Sequence, residues 1–189
     1  MIIYFETTAV IFAIAYIFLA MKQNIACWYA AFISTLIYTI IYWDVALYME
    51  SLLNVYYLLM AIYGWINWNK KSSIDKNFIL SWSYKEHTFS IALIILLTLI
   101  SGFYLSNTDA VRPYLDSFTT WASVITTYMV AQKVLSNWIF WIVINTVGIY
   151  LNLDRELYLT VCLLSGYQIM SVYGYYQWRK SYHEYHHRN

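Results

Sequence analysis

The sequence predicts an all-α, polytopic membrane protein with seven transmembrane helices, arranged 3+1+3 as two parallel three-helix repeats around one linker helix. Three observations predict it. Of the 189 residues, 61% are hydrophobic and only 11% are charged, which leaves too little polar surface to coat a water-soluble globule. Seven charge-free runs are long or nearly long enough to cross a bilayer, and the second half of the chain repeats the first.

The seven runs come from reading between charged residues. A membrane helix needs about 20 apolar residues, and charges are costly at its centre. The runs are 7–21, 23–43, 51–69, 88–108, 117–132, 134–153 and 157–178. The first and fifth are short, and each becomes long enough only if Glu6 or Asp116 enters the span.

The repeat appears when the chain is compared with itself at an offset of 110 residues. Residues 6–70 then align with residues 116–180 without a gap, and 11 positions are identical. They include Trp28/Trp138, Asp44/Asp154, Gly64/Gly174 and Trp68/Trp178. The run 88–108 has no counterpart, and this odd helix gives both triplets the same orientation, as in transporters with a site between two halves. We predict a first repeat at 1–70, a loop and linker helix at 71–115, a second repeat at 116–180 and a frayed cytoplasmic tail at 181–189.

Charge asymmetry predicts the orientation. One face collects nine cations against two, Arg112 and Arg155, on the other; acids show the opposite bias. The nine are Lys22, Lys70, Lys71, Lys76, Lys85, Lys133, Arg179, Lys180 and Arg188. Because cytoplasmic loops carry the Lys and Arg excess, the N-terminus is expected outside and the C-terminus inside. The first helix lacks a basic start and aligns with a later helix, so we expect a span and not a signal peptide.

Repeated polar and aromatic positions have structural interpretations. Asp44 and Asp154 stand before helices, where Asp caps free N–H groups. Trp68 and Trp178, each close to Lys, are expected to anchor helix ends at the membrane interface. Glycine at position 64 and its repeat partner suit close helix packing or a bend.

Polar groups in the middle of predicted spans mark a candidate binding site. In the stretch NWIFWIVIN, the spacing of 0, 3 and 7 puts two indoles and a carboxamide on one helical face, with the carboxamide near the bilayer midplane. Other predicted spans add amides, a hydroxyl and a phenol. The alternative role is interhelical hydrogen bonding that holds the bundle together. The candidate substrate-binding residues are Trp138, Trp141, Asn145, Asn54, Tyr57, Gln168 and Ser171.

An aromatic face without full charges suits a flat ligand with a cationic ring, and carboxamides can bind its hydroxyl or amide groups. Glu6 and Asp116 would either draw a cation to the entrance or serve as charges at helix N-termini. We expect no cofactor and no metal site, since the HEYHH tail reads better as a polar terminus. A homo-oligomer is left open.

Other classes fit less well. A nucleic-acid partner is not expected, because the few cations form no basic stripe. A seven-helix sensor or receptor is the alternative function, although the seventh span has no Lys to hold a retinal. Catalysis would need clustered His, Cys or carboxylates within the spans, so we do not expect an enzyme.

The motifs NW..W...N (Asn137 to Asn145), LYMESLLN, IYGWINW and YGYYQW resemble those of the PnuC family of vitamin transporters, over almost the whole chain. The resemblance implies a fold akin to full-length SWEET proteins in the bacterial inner membrane. It also implies vitamin uptake by facilitated diffusion and alternating access, with trapping by a cytosolic kinase. The implied substrates are nicotinamide riboside or thiamine, and this chain departs from riboside carriers by having Asn54 and Ala61 where they have Gln and Asn.

Overall fold

A computed structural model of the protein describes residues 2–46, 48–72, 78–108 and 112–188. The described residues form seven α-helices, joined by short turns. Outside them, the pairing of extended backbone in the described part is one isolated parallel bridge between Leu80 and Val134. The helices are α1 (Ile2–Met21), α2 (Cys27–Asp44), α3 (Tyr48–Ser72), α4 (Tyr84–Leu105), α5 (Pro113–Ala131), α6 (Asn137–Asp154) and α7 (Tyr158–Arg188). The predicted all-α class is confirmed.

The helix bounds follow the predicted runs, with differences at the ends. Glu6 lies within α1 and Asp116 lies in the first turn of α5, so both short runs become helices of about 20 residues. The prediction of a frayed tail from residue 181 is wrong, because α7 continues without a break through Arg188. Lys76, one of the nine cations in the charge count, lies outside the described residues.

Helix packing relates the two triplets. Each triplet packs its helices in sequence order, α3 packs against α5, and α1 packs against α7. At an offset of 110 residues, α3 is equivalent to α7 and α5 is equivalent to α1, so the α3–α5 and α1–α7 contacts are equivalent. Left-handed backbone recurs at the same offset, with φ of 53° at Gln23 and 56° at Lys133, and 61° at Ala46 and 59° at Glu156. The 3+1+3 arrangement stays a prediction, which these equivalent contacts and turns favour.

Four buried indoles meet where the triplets join, and we call them the tryptophan cluster: Trp28, Trp68, Trp138 and Trp178. The ring centroids of Trp68 and Trp178 are 5.8 Å apart, and each ring packs edge to face with the tryptophan of its own repeat, at 5.4 and 5.5 Å. Edge-to-face rings at this spacing attract one another beyond their burial. The cluster lies at the end of the bundle that carries Lys70, Lys133 and Lys180, which we call the cation-rich end.

The expectation that Trp68 and Trp178 are interfacial anchors is wrong, because both side chains are fully buried. The Trp68 Nε1–H donates to the carbonyl of Val130 in α5, and the Trp178 Nε1–H donates to the carbonyl of Ala20 in α1, each at 3.0 Å. A buried indole N–H needs such an acceptor. The two donors are 110 residues apart and so are the two acceptors, which makes the bonds equivalent in the repeat. Each bond joins one triplet to the other.

Ion pairs close the opposite end of the second triplet. Arg112 donates from Nε and Nη2 to the two carboxylate oxygens of Asp154, at 2.6 and 3.0 Å, and Arg155 lies 2.5 Å from Asp116. The hydrogen bond from Arg112 holds the pKa of the Asp154 carboxyl below its usual value. Asp154 is the last residue of α6, and its carboxylate pairs with Arg112 in place of the predicted capping role.

The outer surface of the helices is strongly apolar. Leu96 and Leu99 of α4 are 54% and 55% exposed, as lipid-facing residues would be. Within the described ranges, two helices are by mean hydropathy long and apolar enough to cross a membrane, over Tyr4–Met21 (1.8) and Tyr84–Leu105 (2.2). Tyrosine, tryptophan and amide side chains lower the hydropathy of the other helices.

Candidate functional site

Asn145 and Ser171 form a buried polar pair between α6 and α7. Asn145 is the ninth of 18 residues in α6, so it lies at the midpoint of that helix. Its Nδ2 donates to the Ser171 hydroxyl of α7 at 3.3 Å, and that hydroxyl donates to the carbonyl of Tyr167 at 2.8 Å. Ser171 is fully buried and Asn145 is 5% exposed. The structure thus brings these two predicted residues together.

Gln168 extends this pair by one turn of α7. Its Nε2 lies 3.4 Å from the Thr146 hydroxyl of α6. Its buried Oε1 has no hydrogen-bond partner in the described part of the chain. A buried acceptor of this kind costs stability unless a ligand or water binds it. Trp141 lies one turn before Asn145 on α6 and packs against both apolar clusters found among the described residues.

Trp138 shares the helical face of Asn145 but lies about 10 Å away along α6, seven residues at 1.5 Å each. Its ring belongs to the tryptophan cluster and is 2% exposed. Among the described residues its Nε1 finds no acceptor, and the same is true of Trp28 in the first repeat. The structure therefore separates Trp138 from the polar pair and places it in the packed cluster at the cation-rich end.

The two predicted residues of α3 lie apart from Asn145. Asn54 donates from Nδ2 to the carbonyl of Glu50, one turn earlier in its own helix, at 2.9 Å. Tyr57 faces α5 across the interface between triplets, with Ser123 close to its hydroxyl. Asn54 thus satisfies its own helix, while Tyr57 borders the junction of the two halves.

The sequence analysis missed the packing role of the cluster and of its neighbour Lys133. This lysine follows α5, its side chain is fully buried, and its Nζ lies 4.9 Å from the Trp68 ring centroid. A cation over an indole face is a favourable contact. The signal was present in the sequence, since Trp28/Trp138, Gly64/Gly174 and Trp68/Trp178 recur together at one offset.

Two cavities lie outside the polar pair. One of about 660 Å³ lies between α3, α4 and α5, and none of the predicted site residues lines it. A smaller groove of about 280 Å³ lies beside Ala61, between α2 and α3, and Trp28, Phe32 and Trp65 are among its walls. Ala61 is the repeat equivalent of Ser171, so the first triplet has a methyl group where the second has a hydroxyl.

The side chains available for metal binding are sparse. Within the described ranges, no group of three or more His, Cys, Asp or Glu residues could hold a metal ion. Cys27 and Cys162 are both free thiols, the first buried and the second exposed.

Comparison with known proteins gives consistent matches. Residues 3–180 match the family model described as "Nicotinamide mononucleotide transporter". The chain is 24% identical over 197 residues to proteins named "Nicotinamide riboside transporter PnuC" from Escherichia coli (strain K12) and Shigella flexneri, over 85% of this chain and 82% of each relative.

A solved structure described as "Crystal structure of the Vitamin B3 transporter PnuC" superposes with a TM-score of 0.73 at 20% identity, over 94% of this chain and 81% of that chain. This likeness shows that the two proteins share a fold. The family match covers nearly the whole chain, and a helical bundle with an apolar outer surface is what a multi-pass carrier requires. The chain belongs to the nicotinamide mononucleotide transporter (PnuC) family of membrane transporters and is not an enzyme.

Proposed function

We propose that the protein takes up nicotinamide riboside, bound between the two triplets beside Trp141, Asn145, Gln168 and Ser171. The observation that carries this substrate is the uncharged character of the polar pair and its neighbours. A phosphate group would be matched by Arg or Lys side chains, and these four residues supply only amides, a hydroxyl and an indole. The relatives named for the riboside support the same choice.

Each group of the site has a role in this proposal. The indole of Trp141 attracts the cationic ring of the riboside, because an aromatic face favours a cation where water is excluded. The unpartnered Oε1 of Gln168 accepts a hydrogen bond from the ligand. Asn145, held by Ser171, orients the carboxamide or the ribose hydroxyls. Tyr57 lies at the junction of the halves. Asn54 and Trp138 lie apart from the polar pair, and this proposal gives them no contact with the ligand.

Thiamine is the second candidate, and Ala61 is the observation that favours it. The first triplet lacks a polar group at this position and presents an apolar groove beside it. Thiamine would fit such an asymmetric site, because its aminopyrimidine carries hydrogen-bonding groups while the ring atoms of its cationic thiazolium offer no N–H or O–H donor. Nicotinamide riboside would leave one polar group unmatched there, at a cost of roughly 1–3 kcal/mol.

Transport proceeds by alternating access, with the triplets rocking about the site. The tryptophan cluster supports this mechanism, because it packs the cation-rich end closed. Opening that end requires breaking the inter-triplet bonds of Trp68 and Trp178. With the termini oriented N-outside and C-inside, this is the cytoplasmic gate. Uptake is facilitated diffusion, and a cytosolic kinase traps the substrate.

Counterflow into vesicles tests the proposal. Purified protein is reconstituted into vesicles loaded in turn with unlabelled riboside, thiamine or mononucleotide, and entry of the same compound in labelled form is measured for each. We expect saturable counterflow of the riboside and weak counterflow of the mononucleotide. Saturable thiamine counterflow without riboside counterflow would favour the second candidate. Absence of counterflow for all three compounds would refute the proposed function.

The site is tested separately by Asn145→Leu, with binding read from quenching of tryptophan fluorescence. Losing one hydrogen bond to the ligand should weaken binding roughly 5- to 150-fold, the equivalent of about 1–3 kcal/mol. Asn152→Leu is the matched control, since Asn152 lies on the same helix and donates to its own backbone at Gly148. Equal affinities in the two variants would place the site elsewhere.

A further inference from the structure

The cavity between α3, α4 and α5 is a candidate binding site separate from the substrate site. Its volume of about 660 Å³ lies within the range of small-molecule pockets. The linker helix α4 packs along α5 and leaves this space open on the side of α3. Tyr56 marks its deep end and donates to the carbonyl of Val124 at 2.8 Å, so that end is closed by a hydrogen bond between α3 and α5.

The cavity runs from the membrane surface toward the bilayer centre. Glu86, in the first turn of α4, and Leu93 both line it. They are seven residues apart, which is about 10 Å along the helix. The hydrocarbon half-thickness of a bilayer is about 15 Å. The depth therefore matches the upper part of one lipid leaflet, and Phe89, which is 69% exposed, lies at the opening toward lipid.

The walls change from polar to apolar along this direction. Glu86, Ser81, Trp82 and Gln132 line the surface end. Met60, Leu93, Val124 and Ile125 line the deeper part. An amphipathic molecule with a polar head at the surface and a hydrocarbon chain in the interior matches both parts.

The charge at the surface end of the cavity determines which lipid headgroup fits there. Glu86 is the charged residue among the described lining residues, and one of its oxygens accepts the Ser83 backbone N–H at 2.6 Å. The other oxygen can accept a further donor. Trp82 adds an indole, which also favours a cation. Both groups fit a primary ammonium that can donate hydrogen bonds, and neither fits an anionic glycerol headgroup.

We propose that this cavity binds one phosphatidylethanolamine molecule, with its ammonium at Glu86 and Trp82 and one acyl chain between α3, α4 and α5. The lipid fills the gap that the linker helix leaves and so joins α4 to the first triplet. The binding site is distinct from the polar pair of Asn145 and does not depend on which vitamin is carried.

The test is native mass spectrometry of the purified full chain with added phosphatidylethanolamine, phosphatidylcholine or phosphatidylglycerol. We expect one bound lipid per chain and a preference for phosphatidylethanolamine over phosphatidylglycerol of up to about fivefold, the equivalent of one surface ion pair. Leu93→Trp fills the cavity and should abolish the tight binding. Leu96→Trp is the matched control, because Leu96 lies on the same helix, is 54% exposed and does not line the cavity.

Glu86→Gln tests the headgroup without disturbing the helix start, since Gln also completes a capping box. This variant should bind lipid but lose the preference for phosphatidylethanolamine over phosphatidylglycerol. Equal binding of all three lipids by the unmodified protein would overturn the proposal. Leu93→Trp binding as tightly as Leu96→Trp, or Glu86→Gln retaining the full preference, would overturn it as well.

Discussion

Substituting Gly64 by alanine should destabilise the protein by driving a methyl group into the tryptophan cluster. A Cβ at this position would lie 2.3 Å from Cζ2 of Trp28, whereas ordinary contact begins near 3.4 Å. The two groups must therefore separate by about 1 Å. The Trp28 ring has little room to move, because it is 2% exposed and packs against Tyr16 and Trp68 at 5.9 and 5.4 Å between centroids. Overpacking of this kind costs about 1–3 kcal/mol.

Two other glycines provide graded comparisons. A Cβ at Gly174 would lie 2.8 Å from the Trp138 ring, a smaller conflict, and a Cβ at Gly166 would meet nothing within 4 Å. In detergent, thermal unfolding followed by circular dichroism should show Gly64→Ala lowering Tm by about 2–4 °C per kcal/mol of destabilisation. Gly174→Ala should lower Tm less, and Gly166→Ala should raise it, because alanine is favoured over glycine inside a helix by up to about 1 kcal/mol. Equal Tm values for Gly64→Ala and Gly166→Ala would refute the packing argument.

Two further predictions concern the ends of the bundle. Trp68→Phe removes the indole donor to Val130 and should lower the free energy of unfolding by about 0.5–1.5 kcal/mol, measured by thermal unfolding. The control is Trp65→Phe, at a residue that is 38% exposed, and it should change stability little. Equal losses in the two variants would refute the role of the inter-triplet bond. The pairing of Asp154 with Arg112 stabilises the folded state fully above the ordinary aspartate pKa of about 3.9, and this contribution is lost as the pH falls through the lowered pKa of the folded state. The Tm of the unmodified protein should therefore exceed that of Asp154→Asn at neutral pH, and the difference should shrink under acid; a difference independent of pH would contradict the assignment.

The fold could be predicted further than the site. Charge-free runs located all seven helices of the described chain, because a charge in the bilayer core is costly wherever the helices pack. Helix ends were less accurate: α7 continues through His183 and His187 because its own backbone hydrogen bonds sustain it, whatever its polarity. The structure brings Asn145 and Ser171 together, a pairing that no periodicity within one helix could identify, because the partner lies on another helix.

The errors at Trp68, Trp178 and Asp154 share one cause, which is a partner on another helix. Tryptophan near lysine is typical both of interfacial anchors and of a buried aromatic cluster, and hydropathy does not distinguish them. Trp178 is distinguished from an interfacial anchor by its hydrogen bond to the carbonyl of Ala20 in α1, a tertiary partner 158 residues away. Asp154 shows the same limit, since its arginine comes from the start of a different helix. The repeat offset was the better guide, because symmetry relates residues that no local pattern connects.

Packing four of the nine tryptophans into one cluster has a spectroscopic consequence. Indoles held at fixed angles this close together couple through their strong far-ultraviolet transitions, which produces paired bands of opposite sign in circular dichroism. Separation of the triplets would remove the coupling between Trp68 and Trp178 and so reduce that signal, while the pair within each repeat would persist. The protein thus contains an intrinsic optical reporter of whether its cation-rich end is shut, readable without any attached dye.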